Sequence, residues 1–273
     1  MKRIIICADD YGQNPTISQA IVGLLQNNRI SATSCLVTSP LWAEAALALK
    51  PLKNNADIGL HFNLTEGNPR STSLTSFWPL KQLIIKSQLR QLDKAAIAAE
   101  LHAQLDVFLK ELGTYPDFID GHQHIHQFPI IRDALLDVYE ERLRQHNIYL
   151  RCTYHSGDLF KFPNIGYSKR LIISLCGGIA FKQALLKRKI PHNTTFAGIY
   201  LFTNANTYAT LFPQFLNESN DRGLIMCHPG LPSNDLKDEI AIPREYEYQF
   251  LASADYLDLL KLHQIKLSRF QTL

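Results

Sequence analysis

The sequence predicts an α/β protein, a distorted (β/α) barrel of about seven strands, with seven or eight allowed by the length. Three observations carry this expectation. Short apolar runs recur along the chain, and most are followed by a longer segment with helical periodicity. The polar, reactive side chains stand at the C-terminal ends of those runs, where barrels and open parallel sheets keep their sites.

Residues 3–8 are rich in isoleucine and read as a strand buried on both faces. The following segment, 15–26, puts Ile17, Ala20, Ile21, Leu24 and Leu25 on one helical face, with Pro15 suited to a first turn. A strand at 34–37, a helix at 41–49 and a strand at 58–62 come next. Residues 92–112 read as a long helix ended by Gly113, which takes a left-handed cap conformation without steric cost. A strand at 118–120, a helix at 130–146 and a strand at 148–152 continue the alternation. Later, 223–227 is strand-like, a helix opens at Pro243 and runs to 252, and 265–267 forms a short last strand.

Residues 1–273 are expected to form one domain, with an irregular insertion or lid around 153–197. There, 171–181 is apolar except for Ser174 and carries Gly177-Gly178. A buried helix is the first expectation for this run. Peripheral contact with a lipid surface, favoured by flanking cations such as Lys169-Arg170, is the second.

Hydrophobic residues make up 46% of the 273 and charged residues 19%, a globular composition. With 28 Lys and Arg against 25 Asp and Glu, the formal charge is +3 and no basic block of six or more occurs, which argues against a nucleic-acid partner. The five cysteines are scattered and form no C-x-x-C pair, so neither a disulfide framework nor a thiolate zinc site is expected. The opening apolar run is too short for a secretory h-region and no stretch is long enough to span a membrane; a cytoplasmic location follows as the expectation.

Chemistry concentrates at four strand ends. Asp9-Asp10 follows the first strand, and two adjacent carboxylates point different ways, so one can hold a metal while the other handles a proton. Alone, the pair reads equally well as a solvated turn or a helix cap before Pro15. His61 ends the strand in Gly-Leu-His-Phe-Asn-Leu-Thr-Glu-Gly, 59–67. His122, His124 and His126 alternate after the strand at 118–120, and if extended they share a face. Such a cluster is costly in an ordinary core, since each imidazole needs partners. His228 ends the strand at 223–227, where Pro229-Gly230 turn the chain. One carboxylate and two neutral imidazoles suit a divalent ion with open positions, and ligand type alone leaves its identity open.

These motifs, Ala-Asp-Asp-Tyr-Gly at 8–12, Gly-Leu-His-Phe-Asn-Leu-Thr at 59–65, Asp-Gly-His-Gln-His-Ile-His at 120–126 and Met-Cys-His-Pro-Gly at 226–230, resemble those of the YdjC-like carbohydrate deacetylases, in family order. That family includes chitooligosaccharide deacetylase and deacetylases of lipid-linked N-acetyl sugars. The resemblance implies a distorted β/α barrel that removes the N-acetyl group of an amino sugar and releases acetate. It places the metal, magnesium with zinc or another first-row ion as alternatives, on Asp10, His61 and His122. It makes Asp9 the base that activates water and His228 the acid that protonates the leaving amine. His124 and His126 become residues that support the ligands or touch substrate. Arg151 and Arg244 become orienting groups for carboxylates or sugar hydroxyls. Tyr11, Gly121 and Gln123 depart from commoner family residues without removing a required group. A homodimer is the implied assembly.

Two rival functions share parts of this site. A metal-dependent phosphoesterase would use the same ligands but would want a glycine-rich phosphate loop, which no strand end supplies. A non-catalytic metal- or sugar-binding protein would need neither Asp9 beside Asp10 nor His228.

Overall fold

The computed structural model describes residues 1–154, 171–202, 207–233, 235 and 238–272. Residues 155–170 of the expected lid, with Lys169-Arg170, lie outside the described residues. Strand β1 (Lys2–Tyr11) has three parallel neighbours. β7 (Gly223–Cys227) runs along one edge of it, while β8 (Ile265–Leu267) and β2 (Ala32–Cys35) pair with its beginning and its end. β3 (Asp57–Phe62), β4 (Phe118–Gly121) and β5 (Tyr149–Leu150) continue beyond β2, and β6 (Phe196–Ala197) lies beyond β7. The order is therefore β5-β4-β3-β2-β1-β7-β6, with β8 off this path.

The two ends of that order are drawn together. Leu150 N donates to Pro191 O, and Leu150 forms a parallel bridge with His192. The Asn193 side chain accepts from Cys152 N at 2.8 Å and donates to Cys152 O at 2.9 Å. A side-chain amide thus makes the ladder bonds that a strand backbone would make. This is why β5 stops at Leu150 instead of reaching 152.

The helices are α1 (Pro15–Gln26), α2 (Trp42–Leu49), α3 (Leu80–Gln88), α4 (Lys94–Leu112), α5 (Ile131–Val138), α6 (Ile179–Arg188), α7 (Thr207–Glu218), α8 (Ala241–Ala252) and α9 (Ala254–Leu262). The sequence reading anticipated neither α3 nor α7 nor the two-residue β6. Asn14 caps α1 by accepting from Ile17 N, Asp93 caps α4, and Gly113 ends α4 with φ 74°. The single helix expected over 130–146 is broken: α5 ends at Val138 and passes through a π-helical turn, Tyr139–Leu143. β2 lies two residues earlier than expected, because β1 bulges between Ala8 and Tyr11 and the ladder ends there.

The run 171–181 is helical but broken at Gly177, whose φ is 147°. One face is buried through Phe181, while Ile172, Leu175 and Ile179 remain 57%, 67% and 42% exposed. The expectation of a buried helix is corrected to an amphipathic one. Among the described residues, no helix is long and apolar enough to cross a membrane.

Along β1, Ile4, Ile6 and Ala8 join the core under the helices, whereas Ile5 and Cys7 face the barrel interior with Phe118, Tyr149 and Phe270. Phe270 closes the bottom of this interior. Its ring stacks on Tyr149 at 4.1 Å and its N–H donates to Asp57 at 2.6 Å. Phe270→Ala is expected to cost about 3–5 kcal/mol of stability by urea unfolding, the range for emptying a buried aromatic site. A loss below about 1 kcal/mol would show that the bottom layer repacks.

Candidate active site

The inward positions of the strands become polar at their carboxyl ends. On β1 the interior residues are Ile5, then Cys7, then Asp9; on β3 they are Asp57, Gly59, then His61; on β4, Phe118 then Asp120. Ser34 on β2 and Arg151 after β5 complete a polar layer that is almost wholly buried. Strict alternation would turn Asp10 outward to the helices. The bulge, with Asp10 at φ 67°, turns it back to the mouth, so two consecutive carboxylates serve one site.

Asp9 and Asp10 have different partners. Arg151 clamps Asp9 through two bonds, of 2.7 Å and 2.6 Å, and its Nη2 also stands 2.6 Å from Asp120 Oδ2. Burial pushes the Asp9 pKa up and Arg151 opposes that shift only in part. Asp120 is held well below the usual carboxylate range despite its burial, because Arg151, His61 and Ser34 all favour its charge. Asp9 is therefore the more basic of the two. Asp10 faces His61 Nε2 at 3.3 Å and His122 Nδ1 at 3.1 Å, and its other oxygen accepts from Arg244 at 2.7 Å. Arg244 also donates to Asp238 and Gln13.

His61 is oriented from behind. Its Nδ1 lies 2.7 Å from Asp120 Oδ1, to which Ser34 also donates, so Nε2 is turned toward Asp10. Burial disfavours a proton on His61, but Asp120 and Asp10 overcome it and push the pKa up to about 10. For His122 the same competition, against Asp10 and Glu66, ends at about 9. Glu66 Oε1 lies 3.0 Å from His122 Nε2, and its backbone is fixed by the Asn63 side chain.

The three histidines after β4 do not share a face. Gln123 and His124 both have positive φ, 54° and 61°, and the segment coils as a tight helical turn instead of extending. His122 enters the Asp10 cluster, and His124 lines the cavity with its ring edge-on to Phe196. His126 is wholly buried beside Phe181, with Nε2 2.9 Å from Arg151 O, so it acts on Arg151 and lies away from the cavity. Gly121 permits this coil, because a Cβ there would stand 2.8 Å from His126 N.

His228 lies across the cavity, its N–H donating to Glu247 and its ring edge-on to Phe202 at 5.4 Å. The cavity measures about 790 Å³. Asp9, Asp10, His61, His122 and His228 belong to its polar lining, and Leu80, Ile84, Phe128, Ile172 and Ile173 to its apolar lining.

Asp10, His61 and His122 each offer a donor atom within 4.8 Å of the others, all buried. The donor set fits a divalent cation on two grounds. One oxygen and two nitrogens suit a first-row ion or magnesium, and His61 carries the carboxylate behind it that metal-bound histidines usually have. Moreover, four buried carboxylates (Asp9, Asp10, Asp120, Asp238) face two guanidiniums (Arg151, Arg244). Two protons, on His61 and His122, balance the remaining negative charge, and a divalent ion would take their place. Cys7, Asp9 and Asp120 also cluster, but Arg151 already fills the space among them.

The sequence reading missed Ser34, Glu66, Asp120, Asp238 and Glu247 as individual contributors. Ser34 and Asp120 were accessible through the period-two pattern, as polar residues on the strand face that carries the site. Glu66, Asp238 and Glu247 have no local signal and come into place only by tertiary folding.

Together these features define a parallel β/α barrel with a carboxylate–histidine cage at the carboxyl ends of its strands. The YdjC-like protein family model matches residues 3–262, and the chain belongs to that family, as the four motifs had implied. A carbohydrate deacetylase of Vibrio cholerae is 25% identical over 296 aligned positions, covering 99% of this chain and 96% of that protein. The carbohydrate deacetylase of Xenopus laevis is 30% identical over 59% of this chain, and the chitooligosaccharide deacetylase of Proteus mirabilis 36% over 51%. The chain spans 56% of the length of each of these two relatives. Among solved structures, an Enterococcus faecalis protein named for cellobiose-phosphate cleavage superposes with a TM-score of 0.73 at 21% identity, over 99% of this chain and 98% of that one, which supports the barrel.

Proposed function

We propose that the chain is a metal-dependent carbohydrate deacetylase that hydrolyses the N-acetyl group of an amino sugar. The observation that carries this reading is the division of labour between adjacent carboxylates: Asp10 faces two histidines, while Asp9 stands apart on Arg151. Asp10, His61 and His122 would hold the divalent ion, with magnesium favoured by family membership. When bound, such an ion supplies a more acidic water and a polarised carbonyl. Asp9, buried and more basic than an ordinary carboxylate, takes the water proton. Arg151 keeps Asp9 in place, and Arg244 does the same for Asp10. His228, across the cavity, gives a proton to the departing amine. The relatives' names support a sugar substrate, and the cytoplasm is the proposed location, given that the cysteines form no disulfide among the described residues.

A lipid-linked N-acetyl sugar is the second reading, favoured by Ile172 and Ile173, which line the cavity, and by the exposed Leu175 and Ile179 on the same helical run. Acetate release from N-acetylglucosamine oligomers, compared with release from an N-acetylglucosaminyl lipid in detergent, tests both. Turnover of neither, with divalent metal present, would refute the deacetylase assignment. His61→Ala and His122→Ala should each lose the bound ion in elemental analysis and lower acetate release by at least about 100-fold, the upper range for lost metal support. Full metal retention in either variant would remove that residue from the ligand set.

A further inference from the structure

His228 is one of four residues in a closed circuit with Glu247, Tyr200 and Phe202. Glu247, on α8, is 0% exposed. One of its oxygens accepts from the His228 backbone N–H, and the other accepts from the Tyr200 hydroxyl at 2.6 Å. The Tyr200 ring lies edge-on to Phe202, centroids 4.6 Å apart, and Phe202 lies edge-on to the His228 ring at 5.4 Å. The circuit therefore grips His228 twice, by its main chain through Glu247 and by its imidazole through Phe202.

We propose that Glu247 is the positioning residue of His228, with Tyr200 and Phe202 transmitting its hold to the imidazole ring. The inference rests on the deacetylase reading, in which His228 serves as the acid. Its physical basis is the cost of leaving a carboxylate in a dry interior. Burial pushes the Glu247 pKa up to about 7, against the donors Tyr200 and His228 N–H. Such a residue costs stability that an apolar side chain of equal volume would not. A carboxylate at this position offers two acceptors at a fixed separation to two donors on different strand-end loops, one after β6 and one after β7. That links the loop carrying the acid to the loop carrying its aromatic wall. A misplacement of about 1 Å at a reacting group can cost on the order of 100-fold in rate. Glu247 makes its hydrogen bonds to Tyr200 and His228 and acts on Arg244 and Asp9 through charge alone, so metal content is measured beside the rate.

The test uses three variants of the full chain with metal and N-acetylglucosamine oligomers. Glu247→Leu, which removes both acceptors, should lower kcat about 100-fold while KM and metal content stay at wild-type values. Glu247→Gln keeps one carbonyl acceptor and can donate its amide to the tyrosine oxygen, so it should recover to within about 10-fold of wild type. Tyr200→Phe should fall between them. A folded Glu247→Leu protein with wild-type kcat, or one in which KM rises while kcat holds, overturns the proposal. If the wild-type chain releases no acetate from any N-acetyl sugar, the deacetylase reading fails, and the positioning role is then decided by the His228 ring itself. Its side-chain NMR signals should be single in wild type and broadened by exchange in Glu247→Leu. A ring equally ordered in both overturns the positioning role independently of activity.

Discussion

Arg151→Met is expected to lose about 3–5 kcal/mol of stability, the cost of stranding buried charges when one partner of an ion pair is removed. Arg151 is 0% exposed and holds both Asp9 and Asp120. Methionine fills much of the volume but leaves two carboxylates within one dry cluster. Chemical denaturation measures the loss directly. Because Asp120 also orients His61, the variant should bind metal more weakly as well. A stability within about 0.5 kcal/mol of wild type would mean that the two carboxylates protonate or hydrate without resistance. A second substitution separates the charges: Asp9→Asn in the Arg151→Met background should recover part of the loss, since the two sites share the interaction.

Asp9→Asn alone is expected to lower kcat about 1000-fold, within the span usual for removing a general base. Metal content should remain at the wild-type level, because Asp10, not Asp9, faces His61 and His122. The amide keeps an oxygen for Arg151, so the variant should fold. This pairing of outcomes distinguishes a base from a ligand. Loss of the ion in Asp9→Asn would transfer Asp9 to the metal, and a wild-type rate would remove it from the chemistry.

How much of this was legible without coordinates follows from periodicity. The strand ends that carry Asp9, His61 and His228 were readable because apolar runs stop at them. Alternation then limits which neighbours can face the same space, and it brings in Ser34 and Asp120 once the strands are placed. The coil after Gly121 was not readable. Its positive φ values at Gln123 and His124 are set by the packing of His126 against Phe181 and Arg151, which no local pattern encodes. Asp10 had the same difficulty in milder form, since period two alone sends it outward and only the bulge returns it. Glu247 lay three residues after Arg244 on one helix, where its charge reads as an ordinary solvated face until the barrel is assembled.

The threefold pairing of β1 bears on the order in which the molecule can be built. During synthesis β1 leaves the ribosome long before β7, its partner across residues 4–8, and longer still before β8. Until then one edge of Ile4-Ile5-Ile6 has no ladder partner. Pairings separated by so much chain close late and slowly, because loop entropy must be overcome first. The nascent chain thus carries an apolar, open strand edge through most of its elongation, a template for pairing with another copy or for chaperone capture. The strand that later holds Asp9 and Asp10, the carboxylates of the candidate site that lie side by side, is the one most in need of protection while the barrel is still incomplete.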